Sequence, residues 1–253
     1  MAFIRCSFFA QTLGIQTELY AVIPEAVTHS GPFPVIWLYH GMSGNHSSWV
    51  RSSAVERYAE QYGVAVVMPD AQRSYFTDMH AGGAYWRFIS EEVIEKARIF
   101  LPLSHKRGHN AAAGLSMGGF GAFKLALTRP ELICAAGSFS GVLDIPARLG
   151  MNRGDPDEFR RIFGPPEEVP GTINDLPILA SRTDDPASLP RLFQCCGSDD
   201  IYLENNRRFK QAADQAGIPV AYREDPGYDH QWEYWDLMLR EFLPWVKGIM
   251  QQR

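Results

Sequence analysis

Gly114-Leu115-Ser116-Met117-Gly118-Gly119 sets a serine between glycines two positions away on either side. The apolar stretch 109–114 leads into it, and residues 120–127 follow with helical period. A serine on a tight strand-to-helix turn needs that spacing, because side chains at the flanking positions would meet the neighbouring backbone. The start of the helix also turns its positive dipole end toward any oxyanion that forms there. The chemistry open to such a serine is attack on a carbonyl carbon.

A serine hydroxyl is a weak nucleophile and needs a base, normally a histidine held in its working tautomer by a carboxylate. With a nucleophile on such a turn, the chain order is serine, acid, histidine. Of the seven histidines only His230 follows Ser116; it lies in Pro226-Gly227-Tyr228-Asp229-His230-Gln231-Trp232, ahead of a helical segment. The acid belongs at the end of the strand predicted over 191–196, where Gly197-Ser198-Asp199-Asp200 offers two neighbours. Consecutive side chains leave a turn in different directions, so one faces His230 and the other is a solvated turn residue or a helix N-cap. Asp199 and Asp200 both stay open on this ground, with Asp144 a distant third. The oxyanion hole needs two backbone donors: the Met117 N–H directly after the nucleophile, and the Met42 N–H in His40-Gly41-Met42-Ser43-Gly44.

These residues must be carried by elements that alternate along the chain. Short runs rich in branched and aromatic residues predict strands over 17–23, 35–40, 64–68, 110–115, 135–140, 191–196 and 220–224. Helical period appears between them at 52–61, 91–100, 118–128, 204–215 and 232–250. That order predicts an α/β fold, a mostly parallel sheet covered by helices, and 253 residues with 45% hydrophobic content suit a single domain over 1–253. The stretch 141–190 breaks the alternation with Pro, Gly, Asp and Arg. It reads either as a lid-like insertion over a site or as a solvated excursion with a helical turn.

Composition narrows the partners. The net charge of −5 comes without a basic block, which argues against nucleic acid. No run reaches the ~18–20 apolar residues of a spanning helix, so no membrane insertion is expected. The N-terminal ten residues lack a charged leader with a long apolar stretch. Cys6, Cys134, Cys195 and Cys196 show no metal-ligand spacing and read as reduced thiols, which favours the cytoplasm; a secreted form stays open, since a removed leader leaves no trace. His40 and His46 have no third ligand at sensible spacing, so neither metal nor other cofactor is expected. His40, Trp49, Tyr75, Trp86 and Trp232 are candidates to contact a small-molecule substrate, with core packing the alternative for the aromatics, Phe76 included. Homo-oligomer formation is left open, because nothing in the sequence locates a patch for it.

Together the motifs resemble the tributyrin esterase branch of the esterase D and S-formylglutathione hydrolase family, within the α/β-hydrolase superfamily. The matching segments are Tyr39-His40-Gly41-Met42-Ser43-Gly44-Asn45-His46-Ser47-Ser48-Trp49, Val66-Val67-Met68-Pro69-Asp70, Tyr75-Phe76-Thr77-Asp78, Ala113-Gly114-Leu115-Ser116-Met117-Gly118-Gly119, Ser138-Phe139-Ser140-Gly141 and Cys196-Gly197-Ser198-Asp199-Asp200. The resemblance implies an α/β-hydrolase fold and a Ser-His-Asp carboxylesterase acting on short acyl esters, acetyl or butyryl, including acetylated or feruloylated sugars. It also places the acid on the third residue after the strand-end glycine, which is Asp200. The rival activities it implies are an S-formylglutathione hydrolase-type thioesterase and an acyltransferase of the same fold. The stretch 141–190 matches the family least.

Overall fold

The computed structural model describes residues 1–25, 32–151 and 153–251. Eight strands form one sheet in the order β1-β2-β4-β3-β5-β6-β7-β8. They are β1 (Ala2–Ala10), β2 (Ile15–Ile23), β3 (Val35–Tyr39), β4 (Ala65–Pro69), β5 (Asn110–Leu115), β6 (Ala135–Phe139), β7 (Arg191–Gly197) and β8 (Val220–Asp225). β1 and β2 are antiparallel to their neighbours, and all pairings from β4 to β8 are parallel. The helices are α1 (Ser48–Ser52), α2 (Val55–Tyr62), α3 (Tyr85–Arg87), α4 (Val93–Phe100), α5 (Met117–Thr128), α6 (Ile145–Leu149), α7 (Pro156–Phe163), α8 (Leu176–Ser181), α9 (Leu203–Gln215) and α10 (Trp232–Gln251).

β3, β4, β5 and β6 are buried at every position because both faces are covered. In β3, Val35, Trp37 and Tyr39 enter one core while Ile36 and Leu38 enter the other, as the period of two requires. The first core is closed by α4, α5 and α9, through residues such as Val93, Phe120, Phe123 and Phe209. The second is closed by α2 and α10, through Tyr58, Tyr234, Met238 and Phe242.

All seven predicted strands and five predicted helices appear, with ends moved by a few residues. One strand, β1, was not predicted. It pairs with β2 alone at the edge of the sheet, and only Phe8 and Ala10 of its nine residues are buried, so no apolar run marks it. Its hairpin closes on Gly14, whose φ of 67° suits a residue without Cβ.

The stretch 141–190 is more ordered than its composition implies. It holds α6, α7 and α8, and Asp144, Asp155 and Asp175 accept from the first-turn amides of these helices as N-caps. Asn205 of α9 clamps the backbone of Asp144 by accepting its N–H at 2.8 Å and donating to its carbonyl at 2.7 Å.

Candidate active site

Ser116 stands between β5 and α5 with φ 53° and ψ −117°, a conformation that L-residues populate sparsely. The surroundings hold it there. A Cβ on Gly114 would come 2.5 Å from the Gly118 backbone, and one on Gly118 would come 2.5 Å from the Tyr39 carbonyl oxygen. The Ser116 N–H donates to Phe139 in β6, and its carbonyl accepts from Val142. Strand and helix therefore meet more closely than any other residue type allows.

His230 Nε2 lies 2.9 Å from Ser116 Oγ, and His230 Nδ1 lies 2.9 Å from Asp200 Oδ2. With Nδ1 protonated toward the carboxylate, Nε2 is free to accept the serine proton. The imidazole edge packs against Tyr202 and Trp235, at 5.1 and 4.8 Å between ring centres. The Asp200 side chain is wholly buried, and its other oxygen accepts the Tyr202 N–H at 2.8 Å. Asp199 turns outward to accept from the Ser198 hydroxyl, and Asp144 pairs with Arg208 at 3.5 Å. The loops that carry Asp200 and His230 are stitched together: Ser198 N–H donates to Asp225, Asp199 N–H to Tyr228, and Gly227 N–H to the Ser198 hydroxyl.

A cavity of about 520 Å³ opens above Ser116 and His230. It sits beyond the carboxyl ends of the parallel strands, where open α/β sheets bind ligands. One wall is apolar, made of Tyr75, Leu115, Ile201, Tyr202, Trp232 and Trp235. Another part of the lining is polar and comes from the segment between Gly41 and Ser52. Gly41 and Met42 border the cavity next to the serine; a Cβ on Gly41 would fall 2.5 Å from the Leu115 side chain and 3.7 Å from Ser116 Cβ. Met117 begins α5 and is fully buried.

Of the candidate substrate contacts, Tyr75 and Trp232 face the cavity, whereas His40, Trp49 and Trp86 do not. His40 is turned into the core, where Nδ1–H donates to the Gly41 carbonyl at 2.7 Å and Nε2 accepts the Ala71 N–H at 3.0 Å. Burial lowers its pKa, so it is a neutral pin between the loops after β3 and β4. Trp49 donates to the Tyr39 carbonyl and packs edge-on behind Trp232, at 5.2 Å. Trp86 lies against the Lys124 ammonium, 4.6 Å from its ring centre. Phe76, also named as an aromatic near the loops, is wholly buried.

The stretch 141–190 contributes no described residue to the cavity wall, so it does not roof the site. It acts from behind: Phe159 and Phe163 of α7 pack on the Tyr75 ring at 5.9 and 5.2 Å. Tyr75 and Phe76 both have positive φ, 52° and 49°. The strained loop is tied to the nucleophile helix by Lys124, which is fully buried in α5 and donates to Phe76 O, Thr77 Oγ1 and Asn174 Oδ1 at 3.1, 2.7 and 2.8 Å. Burial pushes the Lys124 ammonium down to about 7, with the Asp78 charge acting the other way.

Sequence reasoning passed over much of the wall: Ser43, Asn45, Ser47, Ser48, Arg51 and Ser52 on the polar side, Ile201, Tyr202 and Trp235 on the other. The available signal was position, since each lies within a dozen residues of a predicted site residue. Among the described residues no three His, Cys, Asp or Glu side chains gather as a metal site, and no helix is long and apolar enough to cross a membrane. His46 is clasped by Asp70 and Glu18 at 3.2 and 3.1 Å and anchors the polar loop.

The sheet order, the turn at Ser116 and its hydrogen-bonded partners belong to an esterase of the α/β-hydrolase fold. Residues 10–246 match the Esterase family, and the chain belongs to that family. It is 26% identical to an acetyl esterase of Caldicellulosiruptor saccharolyticus, over 98% of this chain and 99% of the relative. It is 21% identical to an S-formylglutathione hydrolase of Paracoccus denitrificans, over 93% and 89%. Among solved structures it superposes on FphF, a fluorophosphonate-binding serine hydrolase of Staphylococcus aureus, with a TM-score of 0.89 and 29% identity over 97% and 98% of the two chains. It also superposes on a ferulic acid esterase with a TM-score of 0.85 and 26% identity, over 98% of each chain.

Proposed function

We propose that the protein is a serine carboxylesterase that hydrolyses short-chain acyl esters through an acyl-enzyme on Ser116. The observation that carries this reading is the unbroken relay from Ser116 Oγ through His230 to the buried Asp200 carboxylate, opening onto the cavity. His230 Nε2 takes the hydroxyl proton as Oγ attacks the ester carbonyl, and Asp200 stabilises the imidazolium that results. The Met42 and Met117 amides receive the oxyanion, and their place beside Ser116 supports that role. His230 then protonates the leaving alcohol, and a water activated by the same nitrogen releases the acid. The cavity suits a short acyl group on its aromatic side, and acetylated or feruloylated sugars on its polar side. A cytoplasmic enzyme without cofactor, acting in one domain, fits the same reading.

The test is hydrolysis of p-nitrophenyl esters from acetate to decanoate, with acetylated and feruloylated sugars and S-formylglutathione beside them. Acetate and butyrate cleaved fastest, with Ser116→Ala inert, is the expected result. A wild type inert on every oxygen ester, or an active Ser116→Ala, overturns the reading.

A further inference from the structure

We propose that Arg51 makes the polar wall a subsite for an anionic group, a carboxylate or phosphate, carried by the substrate away from its reacting ester. The inference rests on the esterase reading and names a substrate class within it.

The residues along the cavity have an unusual charge balance. The chain has 29 acidic and 24 basic side chains, a net charge of −5. Among the described residues none of the acidic ones lines the cavity. Among the described residues, its only formal cation other than a protonated His230 is Arg51, on the last turn of α1. Among the described residues the Arg51 guanidinium has no carboxylate within 4.0 Å and donates no hydrogen bond, unlike Arg73, Arg207 and Arg223, each joined to a carboxylate. The surface at large repels an anion, and this wall reverses the sign where the substrate enters.

The neighbours of Arg51 supply matching donors. Ser43 and Ser52 line the same wall, and among the described residues their hydroxyls have no partner within the chain. The Ser47 and Ser48 hydroxyls are engaged instead in holding the loop, through Asn45 Oδ1 at 2.7 Å and the Asn45 N–H at 2.9 Å. His46, clasped between Asp70 and Glu18, fixes the same segment. A planar guanidinium with five donors, on a cavity also lined by two free hydroxyls, meets a carboxylate or phosphate with charge-assisted bonds.

Two matched pairs of esters separate the position of the charge. On the acyl side, 4-nitrophenyl hydrogen glutarate is compared with 4-nitrophenyl pentanoate; on the alcohol side, 3-carboxyphenyl butyrate is compared with phenyl butyrate. The readout is the ratio of kcat/KM within each pair, from which any misfolded fraction cancels. Arg51→Ala lowers the carboxylated-to-neutral ratio about tenfold in at least one pair, mainly through KM, and Arg51→Lys keeps most of it. Arg51→Glu lowers it further, and added salt shrinks the wild-type ratio while leaving that of Arg51→Ala flat. Ratios within twofold of wild type in both pairs for Arg51→Ala overturn the proposal and leave Arg51 as a helix-end cation. Should the wild type hydrolyse none of the four esters, the esterase reading fails by itself. Calorimetry with 3-hydroxybenzoate and glutarate against phenol then decides the anion site: binding lost in Arg51→Ala upholds it, and equal binding overturns it.

Discussion

The floor and the rim of the cavity are built on opposite principles. The floor, from β5 through Ser116 into the first turns of α5, is buried, and Gly114 and Gly118 are set there by backbone contacts closer than a Cβ tolerates. The rim, from Ser43 to Ser52 together with Ile201, is partly exposed, and among the described residues its Ser43, Arg51 and Ser52 side chains bond nothing in the chain. A floor so constrained fixes where the serine points, and Ser43, Arg51 and Ser52 of the rim can vary without disturbing it. On the proposed function chemistry and selectivity are separated in space, and substitutions in the two places should fail in different ways.

The largest effect expected is on the floor. Ser116→Ala should lower kcat by at least about 10⁴-fold in ester hydrolysis, while circular dichroism shows the native fold. Next is Asp200→Asn, which should cost about 10³–10⁴-fold with the fold retained, against less than about threefold for Asp199→Asn. Comparable losses in the two would place the acid elsewhere.

Gly118→Ala should remove several kcal/mol of stability or abolish soluble protein, since its Cβ would strike the Tyr39 and His40 carbonyls. Gly248→Ala in α10, with open space around its Cβ, should instead gain about 0.5–1 kcal/mol in denaturant unfolding. Between these falls a pH effect at Lys124. Below about pH 7 both folded and unfolded chains hold its proton, and the cost of burying the charge is fully present. From about 7 to 10.5 the unfolded chain alone binds it, so stability rises with pH. The wild type should therefore gain on Lys124→Met between pH 6.5 and 9.5, by on the order of a few kcal/mol, measured by urea unfolding. A constant difference across that range would mean the ammonium stays charged, held by its three acceptors.

The floor was also the part legible in the sequence. Its requirements are local: a glycine spacing, an apolar run before it and a helical period after it. Asp200 needed the family resemblance, because Asp199 and Asp200 differ only in the direction each leaves one turn. The rim was not legible because its residues assemble from segments after β3, β7 and β8, and serines in a loop carry no periodic signal. His40 and Trp49 were misplaced for a related reason. Both sit among site residues in sequence, but the backbone turns their rings toward carbonyls of the core. Tyr75 faces the cavity through a positive φ that no composition announces. The stretch 141–190 reads as a lid or as a solvated excursion with a helical turn because proline, glycine and aspartate mark loops, whereas here they begin and end short helices behind the wall.

β8 has one neighbouring strand and a half-exposed face, whereas β5 is flanked on both sides and buried at all six positions. His230, the proposed base, hangs from the turn after β8. Amide exchange should be faster along Val220–Asp225 than along Asn110–Leu115, since an edge strand can detach without unfolding the rest. Each such opening would part His230 from a serine whose own turn stays folded. Heat would then silence the protein in stages, by unplugging its base before its core melts, and cooling would restore activity without refolding the sheet.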